Sequence, residues 1–77
     1  MSDHIKTRKM ILEVGSMDDF ETLLSRPILS PIEREIMYLH YKDGKDFRYI
    51  GDILGYSEST IKRKHKKILD KIKKSFE

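Results

Sequence analysis

The chain contains no cysteine and no tryptophan, and only two prolines and four glycines. Without cysteine there is neither a disulfide frame nor a thiolate metal site, so any fold must be held by packing alone. His4, His40 and His65 are too scattered for zinc-ligand spacing, and nothing in the sequence asks for a metal or cofactor. Long apolar runs are also missing. Stretches such as Met10 to Leu12 fall far short of the roughly 18 residues that a membrane span needs. Near the N-terminus, Ile5-Lys6-Thr7-Arg8-Lys9 interrupts any secretory pattern. The reading is a soluble, cytoplasmic protein with no membrane partner.

What is present fits one small domain. The 77 residues are 38% hydrophobic and 38% charged, and a chain of this size buries only about 60% of the surface exposed when unfolded. A modest core fits these numbers, whereas a roomy substrate cleft does not, which sets enzymes aside in favour of binding at a surface. The net charge of +3 hides a polarised chain. Residues 1–56 carry eight basic and ten acidic side chains, whereas residues 57–77 carry eight basic and three acidic. A cationic block suits a polyanion, because each Lys or Arg on a phosphate releases condensed counterions. Charge alone fits a solvated helix face equally well.

Start and stop signals divide the chain into helices. Ser30-Pro31-Ile32-Glu33 has the form of a capping box with proline at the first helical position. The spacing of Ile32, Ile36 and Leu39 predicts an apolar stripe on the helix that follows, and Asp43-Gly44 should end it. Asp46 is the expected N-cap of a short helix with Phe47, Ile50 and Leu54 on one face, stopped by Gly55. Ser57 then caps a lysine-rich helix to about residue 74, with Ile61, His65, Ile68, Leu69 and Ile72 at helical spacing. Upstream, Ser16 reads as the N-cap of a helix bearing Phe20, Leu23 and Leu24 that ends before Pro27. Residues 5–14 are read as a further helix, although Ile11-Leu12-Glu13-Val14 would also suit a strand. No internal repeat or low-complexity tract interrupts the pattern. The fold expected is all-α: a small helical bundle with a tri-helical helix-turn-helix core at 29–77, a long C-terminal recognition helix at about 58–74, and a helical extension at 1–28.

Two helices joined by a tight glycine-containing turn, the second of them basic, outline a helix-turn-helix. Ile50 is a core position, and Gly51 lets the second helix cross closely over the first. Gly55 makes the turn, Tyr56 plugs the space beneath it, and Ile61 anchors the next helix. Leu29-Ser30-Pro31-Ile32-Glu33-Arg34-Glu35, Tyr49 through Ser57, and Ser59-Thr60-Ile61-Lys62 with His65, Ile68 and Leu69 carry a nameable likeness. From Leu29 to about Ile72 the chain resembles the DNA-binding module shared by LuxR-type response regulators and by region four of sigma factors. Gly51 stands where that family usually has alanine, which weakens helix propensity by up to roughly 1 kcal/mol. At 77 residues the chain is expected to be neither a complete two-component regulator, with a sensory domain, nor a complete sigma factor, with a region two. As a small stand-alone module it resembles regulators encoded by bacteriophages and mobile elements, and that resemblance implies a phage or mobile-element origin.

Helix geometry sorts the side chains of the last helix. With Ile61 turned to the core, Ser59, Arg63, Lys66 and Lys67 project to the opposite side, which should enter the major groove. Arg63 is the candidate for bidentate recognition of guanine. Ser59 is placed to touch a base or a phosphate. Lys62, Lys66 and Lys67 suit phosphates, and Thr60 and Ser57 supply hydroxyl and backbone donors there. Arg48 and Lys45 are further backbone contacts. Against these stand blander readings. Lys64, Lys71, Lys73 and Lys74 read as solvated charges, Asp70 as a partner of Lys66 or Lys74, and His65 as a packed histidine. Tyr38, Tyr41, Tyr49 and Tyr56 read as packing residues rather than a base-stacking platform. His40 with Glu33 and Glu35 suggests acid-base chemistry only if a pocket shifts their pKa values.

The function expected is sequence-specific binding of double-stranded DNA for transcriptional regulation. A single module offers about 600–1,000 Å² of interface, so useful affinity calls for a homodimer or an attached partner. Dimer contacts would use the N-terminal segment or the apolar residues Ile68, Leu69, Ile72 and Phe76. The alternatives are an RNA polymerase or sigma-factor interaction module, with Asp18, Asp19 and Glu21 as the partner surface, and a DNA-recognition subunit of a phage packaging or recombination complex.

Overall fold

The computed structural model describes Lys9, Ile11 and residues 17–75, the side chains of 17–19 excepted. Four α-helices are described in full: α1 (Met17–Ser25), α2 (Pro31–Met37), α3 (Phe47–Leu54) and α4 (Glu58–Ser75). Lys9 and Ile11 are also helical, and no strand occurs among the described residues. The expectations for Ser16 and for the rest of 5–14 fall outside the described residues.

α2, α3 and α4 each begin where the sequence supplies an oxygen for the free amides of the first turn. At α2 the Ser30 hydroxyl accepts the Glu33 N–H at 3.2 Å, and the Glu33 carboxylate accepts the Ser30 N–H at 2.9 Å. This closes the capping box. At α3 the Asp46 carboxylate accepts the Tyr49 N–H at 2.8 Å. At α4 the Ser57 hydroxyl accepts the Thr60 N–H at 3.2 Å. The expected stop at Asp43-Gly44 is present, with Gly44 at φ 69°. The helix reaches it by a route the sequence does not announce: α2 opens after Met37 into a π-helical turn, Tyr38–Lys42. There the Asp43 N–H reaches the Tyr38 carbonyl at 3.1 Å.

A single core unites the helices. Ile11, Phe20, Leu23, Leu24, Leu29, Ile36, Met37, Ile50, Ile61, Ile68, Leu69 and Ile72 form one buried apolar cluster. Ile68, Leu69 and Ile72 are almost fully withdrawn from solvent. They therefore seat α4 on its own chain and are not the dimer surface expected of them. Phe76 lies outside the described residues. His65 is buried as expected, its Nε2 lying 2.7 Å from the Tyr41 hydroxyl and its ring tilted against Phe47 at 4.9 Å.

The turn between α3 and α4 corrects two expectations. Gly51 is buried, but the atoms crowding it belong to the turn and not to a crossing helix. A Cβ there would run into the Tyr56 carbonyl oxygen and lie 3.3 Å from the carbonyl carbons of Tyr56 and Ser57. Even alanine needs the turn to shift, so Gly51 is not a spare alanine position. The Gly51 carbonyl in turn accepts both the Gly55 and Tyr56 N–H groups, each at 2.8 Å, and Gly55 sits in the left-handed region at φ 82°. Tyr56 does not plug the space beneath the turn. It is exposed, with the Lys64 ammonium 5.0 Å from its ring centroid.

Lys71 is likewise no freely solvated charge. Its ammonium donates to both oxygens of Glu33, at 2.9 and 2.8 Å, tying the fourth turn of α4 to the start of α2. Burial of the Glu33 carboxyl works to raise its pKa. The Lys71 hydrogen bond, the Ser30 amide and the Lys71 charge outweigh this and hold it below the ordinary 4.5. A depressed carboxylate stabilises the fold above pH 4.5, and that contribution is lost as pH falls through the native pKa.

Gly51→Ala is expected to destabilise the protein by about 1–3 kcal/mol despite the better helix former, read by chemical denaturation. Glu33→Gln should lower stability at neutral pH and flatten the acid limb of the stability-pH curve below pH 4.5, read by thermal unfolding at stepped pH.

Candidate nucleic-acid interface

α4 divides into a buried side and a cationic side because its residues advance by about 100° each. Ile61, His65, Ile68, Leu69 and Ile72 take the buried side. Ser59, Lys62, Arg63, Lys66 and Lys67 are all exposed, as the sequence arrangement requires, and Thr60 is half-buried at their edge. Arg48 on α3 and Lys45 before it are exposed too. The amphipathic pattern thus turns most of the positive charge of residues 57–75 toward solvent.

The first turn of α4 is internally wired. The Ser57 hydroxyl, while capping Thr60, donates its own proton to the Thr60 hydroxyl at 2.8 Å and lies 3.3 Å from that of Ser59. The Arg63 guanidinium donates to the same Thr60 oxygen at 3.1 Å. Five donors on a planar fork leave Arg63 free to bind a second acceptor while held by the first. Lys62 lies 3.3 Å from Glu58, an exposed pair one turn apart that contributes little to stability. Its ammonium remains available to a stronger anion.

Beside this face runs a groove of about 320 Å³ between α2 and α4, lined by Ser30, Glu33, Thr60, Arg63, Lys64 and Lys67. Three of these residues, Ser30, Glu33 and Lys64, were not among the sequence-derived contacts. A helix carrying cations at nearly every angle gives no sign of which ones meet a neighbour, and Lys64 in particular looks like bulk charge. The i, i+4, i+7 and i+11 spacing of Thr60, Lys64, Lys67 and Lys71 marks the side turned to α2.

The other constellations resolve into packing. His40 Nδ1 lies 2.9 Å from the Lys45 carbonyl, and its ring stacks on Phe47 at 4.3 Å. Glu33 is engaged by Ser30 and Lys71, so the His40, Glu33 and Glu35 set is not assembled as an acid-base site. Tyr38 packs edge-on against Phe20 at 5.2 Å, and its hydroxyl donates to Glu21 at 3.4 Å. The described residues hold no cluster able to bind a metal ion and no helix long and apolar enough to cross a membrane.

A capped α3, a glycine turn closed on Gly51 and a long cationic helix seated on the shared core define a helix-turn-helix DNA-binding module. The chain belongs to the sigma-70 region 4 family, whose family model matches residues 27–74. No curated protein and no solved structure matches the chain. Membership in this family assigns the module to DNA binding in the service of transcription.

Ser57→Ala should cost about 1 kcal/mol through loss of the α4 cap, whereas Ser57→Asp should retain the folding stability. Urea denaturation of the two variants reads the difference.

Proposed function

We propose that the protein regulates transcription by reading a specific sequence of duplex DNA, with α4 in the major groove. The observation that carries this reading is the exposed cationic side of α4, centred on Arg63 and lying opposite a fully packed side. Arg63, already oriented by Thr60, presents its fork to the two acceptors of a guanine edge. Ser59, one turn earlier, reaches a base or the adjoining phosphate. Lys62, Lys66 and Lys67 hold backbone phosphates on either side, and Ser57 and Thr60 add donors at the positive end of the helix dipole. Arg48 and Lys45, exposed at the start of α3, reach the flanking backbone.

Selection of bound duplexes from a random pool should return a defined site. Arg63→Ala should relax preference at one or two base pairs, by about 1–3 kcal/mol of discrimination. Lys66→Ala should weaken all duplexes alike and lower the slope of log K against log salt by about 0.9. Unchanged binding in both variants overturns the assignment of this face. A palindromic site with half-sites one helical turn apart would establish a homodimer on DNA.

A second reading, contact with RNA polymerase, draws on family membership and on Tyr49 and Ile53, which α3 leaves exposed at 45% and 51%. The acidic surface expected at Asp18, Asp19 and Glu21 is described only at Glu21, which is engaged with Tyr38. Retention of polymerase by a variant lacking both Arg63 and Lys66 would favour this reading.

A further inference from the structure

The groove between α2 and α4 combines three features that the outer face of α4 alone does not. Its charge is one-sided: Arg63, Lys64 and Lys67 line it, while its single carboxylate, Glu33, is already neutralised by Lys71 at 2.8 Å. One hydroxyl is spent as an acceptor. Thr60 accepts from both Ser57 and Arg63 and so has its own proton left to donate, whereas the Ser30 hydroxyl, which accepts the Glu33 N–H, is also hydrogen-bonded to the Glu33 carboxylate. Its position is continuous with the outer face, because Arg63 and Lys67 belong to both. Cations and a free O–H donor around a polar hollow select a ligand rich in acceptors and negative charge. At about 320 Å³ the hollow lies at the bottom of the range for small-molecule sites, suiting a single phosphate with its water better than a whole nucleotide.

We propose that this groove is a phosphate seat in which Lys64 and Lys67, with the hydroxyl of Thr60, take one backbone phosphate of the bound duplex. The proposal rests on the DNA-binding reading and deepens it. Lys64 then acts in binding and is not bulk charge, and the start of α2 forms the facing wall of the seat. The Tyr56 ring, 5.0 Å below the Lys64 ammonium, holds that side chain along the groove wall in the absence of ligand. Glu33, held ionised by Lys71, closes the inner end and keeps the phosphate toward the outer face.

The test compares the wild-type protein with Lys64→Gln and Lys64→Arg in two assays: duplex binding across a salt series, and amide chemical shifts during titration with inorganic phosphate. Lys64→Gln should lower the salt slope by about 0.9 and weaken every duplex about eightfold at 0.1 M salt, without altering base preference. Lys64→Arg should restore both values, which separates loss of the charge from loss of folding. Phosphate should shift the amides of Ser30 and Thr60 in the wild type but not in Lys64→Gln. An unchanged slope in Lys64→Gln, alongside a loss in Lys66→Ala, overturns the seat while leaving DNA binding by α4 intact. Phosphate-induced shifts in a protein that ignores every duplex at low salt would support a site for free phosphate and overturn the DNA-binding reading instead. Absence of both the shifts and the slope change overturns the seat outright.

Discussion

The approach of the Gly51 Cα to the Tyr56 carbonyl fixes how the rest of the molecule is arranged. It allows the chain to turn back within three residues of the end of α3, with the Gly51 carbonyl holding the amides of both Gly55 and Tyr56. From that turn α4 leaves with Ile61 entering the buried core that also holds Ile36, Met37 and Ile50. Once Ile61 is placed, helical periodicity commits His65, Ile68, Leu69 and Ile72 to the same interior, and the lysines to the outside. The cationic surface is therefore a by-product of a backbone contact about two turns away from its centre.

Electrostatics then refines what packing has set. Glu33 serves two structural ends with one carboxylate, closing the α2 cap and binding Lys71. Glu33 also lines the groove, so the one acidic group there is already committed to a cation. Across the face, Thr60 gathers Ser57 and Arg63 onto one oxygen. The first turn of α4 is thus ordered before any nucleic acid arrives, which reduces the conformational entropy that binding must remove.

Much of this was legible in the sequence, and the reason is local. Capping residues act within three positions of themselves, so Ser30, Asp46 and Ser57 marked their helices correctly. The five buried positions of α4 followed from a single period. What escaped depends on contacts between distant segments. The Glu33–Lys71 pair joins residues 38 positions apart, and no pattern in a lysine-rich helix distinguishes Lys71 or Lys64 from its neighbours. The role of Gly51 was half legible: a small residue was clearly required, but the obstacle proved to be the carbonyl of the following turn. Tyr56 was misread because an aromatic residue after a turn glycine suggests filling, whereas here its ring supports an ammonium at the surface.

The widened turn at Tyr38–Lys42 gives α2 more than one set of neighbours. Tyr38 meets Phe20 of α1, and the Lys42 ammonium lies 4.9 Å from the same ring, while His40 and Tyr41 between them turn to Phe47 and His65. Residues four apart share one side of a helical turn, and those between them take the other. A π-helical turn, carrying extra chain per revolution, shifts the angular phase of everything downstream. The distance in residues from the capping box to the helix-turn-helix is consequently part of the molecule's gearing: lengthening it by one would rotate the aromatic contacts out of mesh, where an ordinary loop would absorb the change.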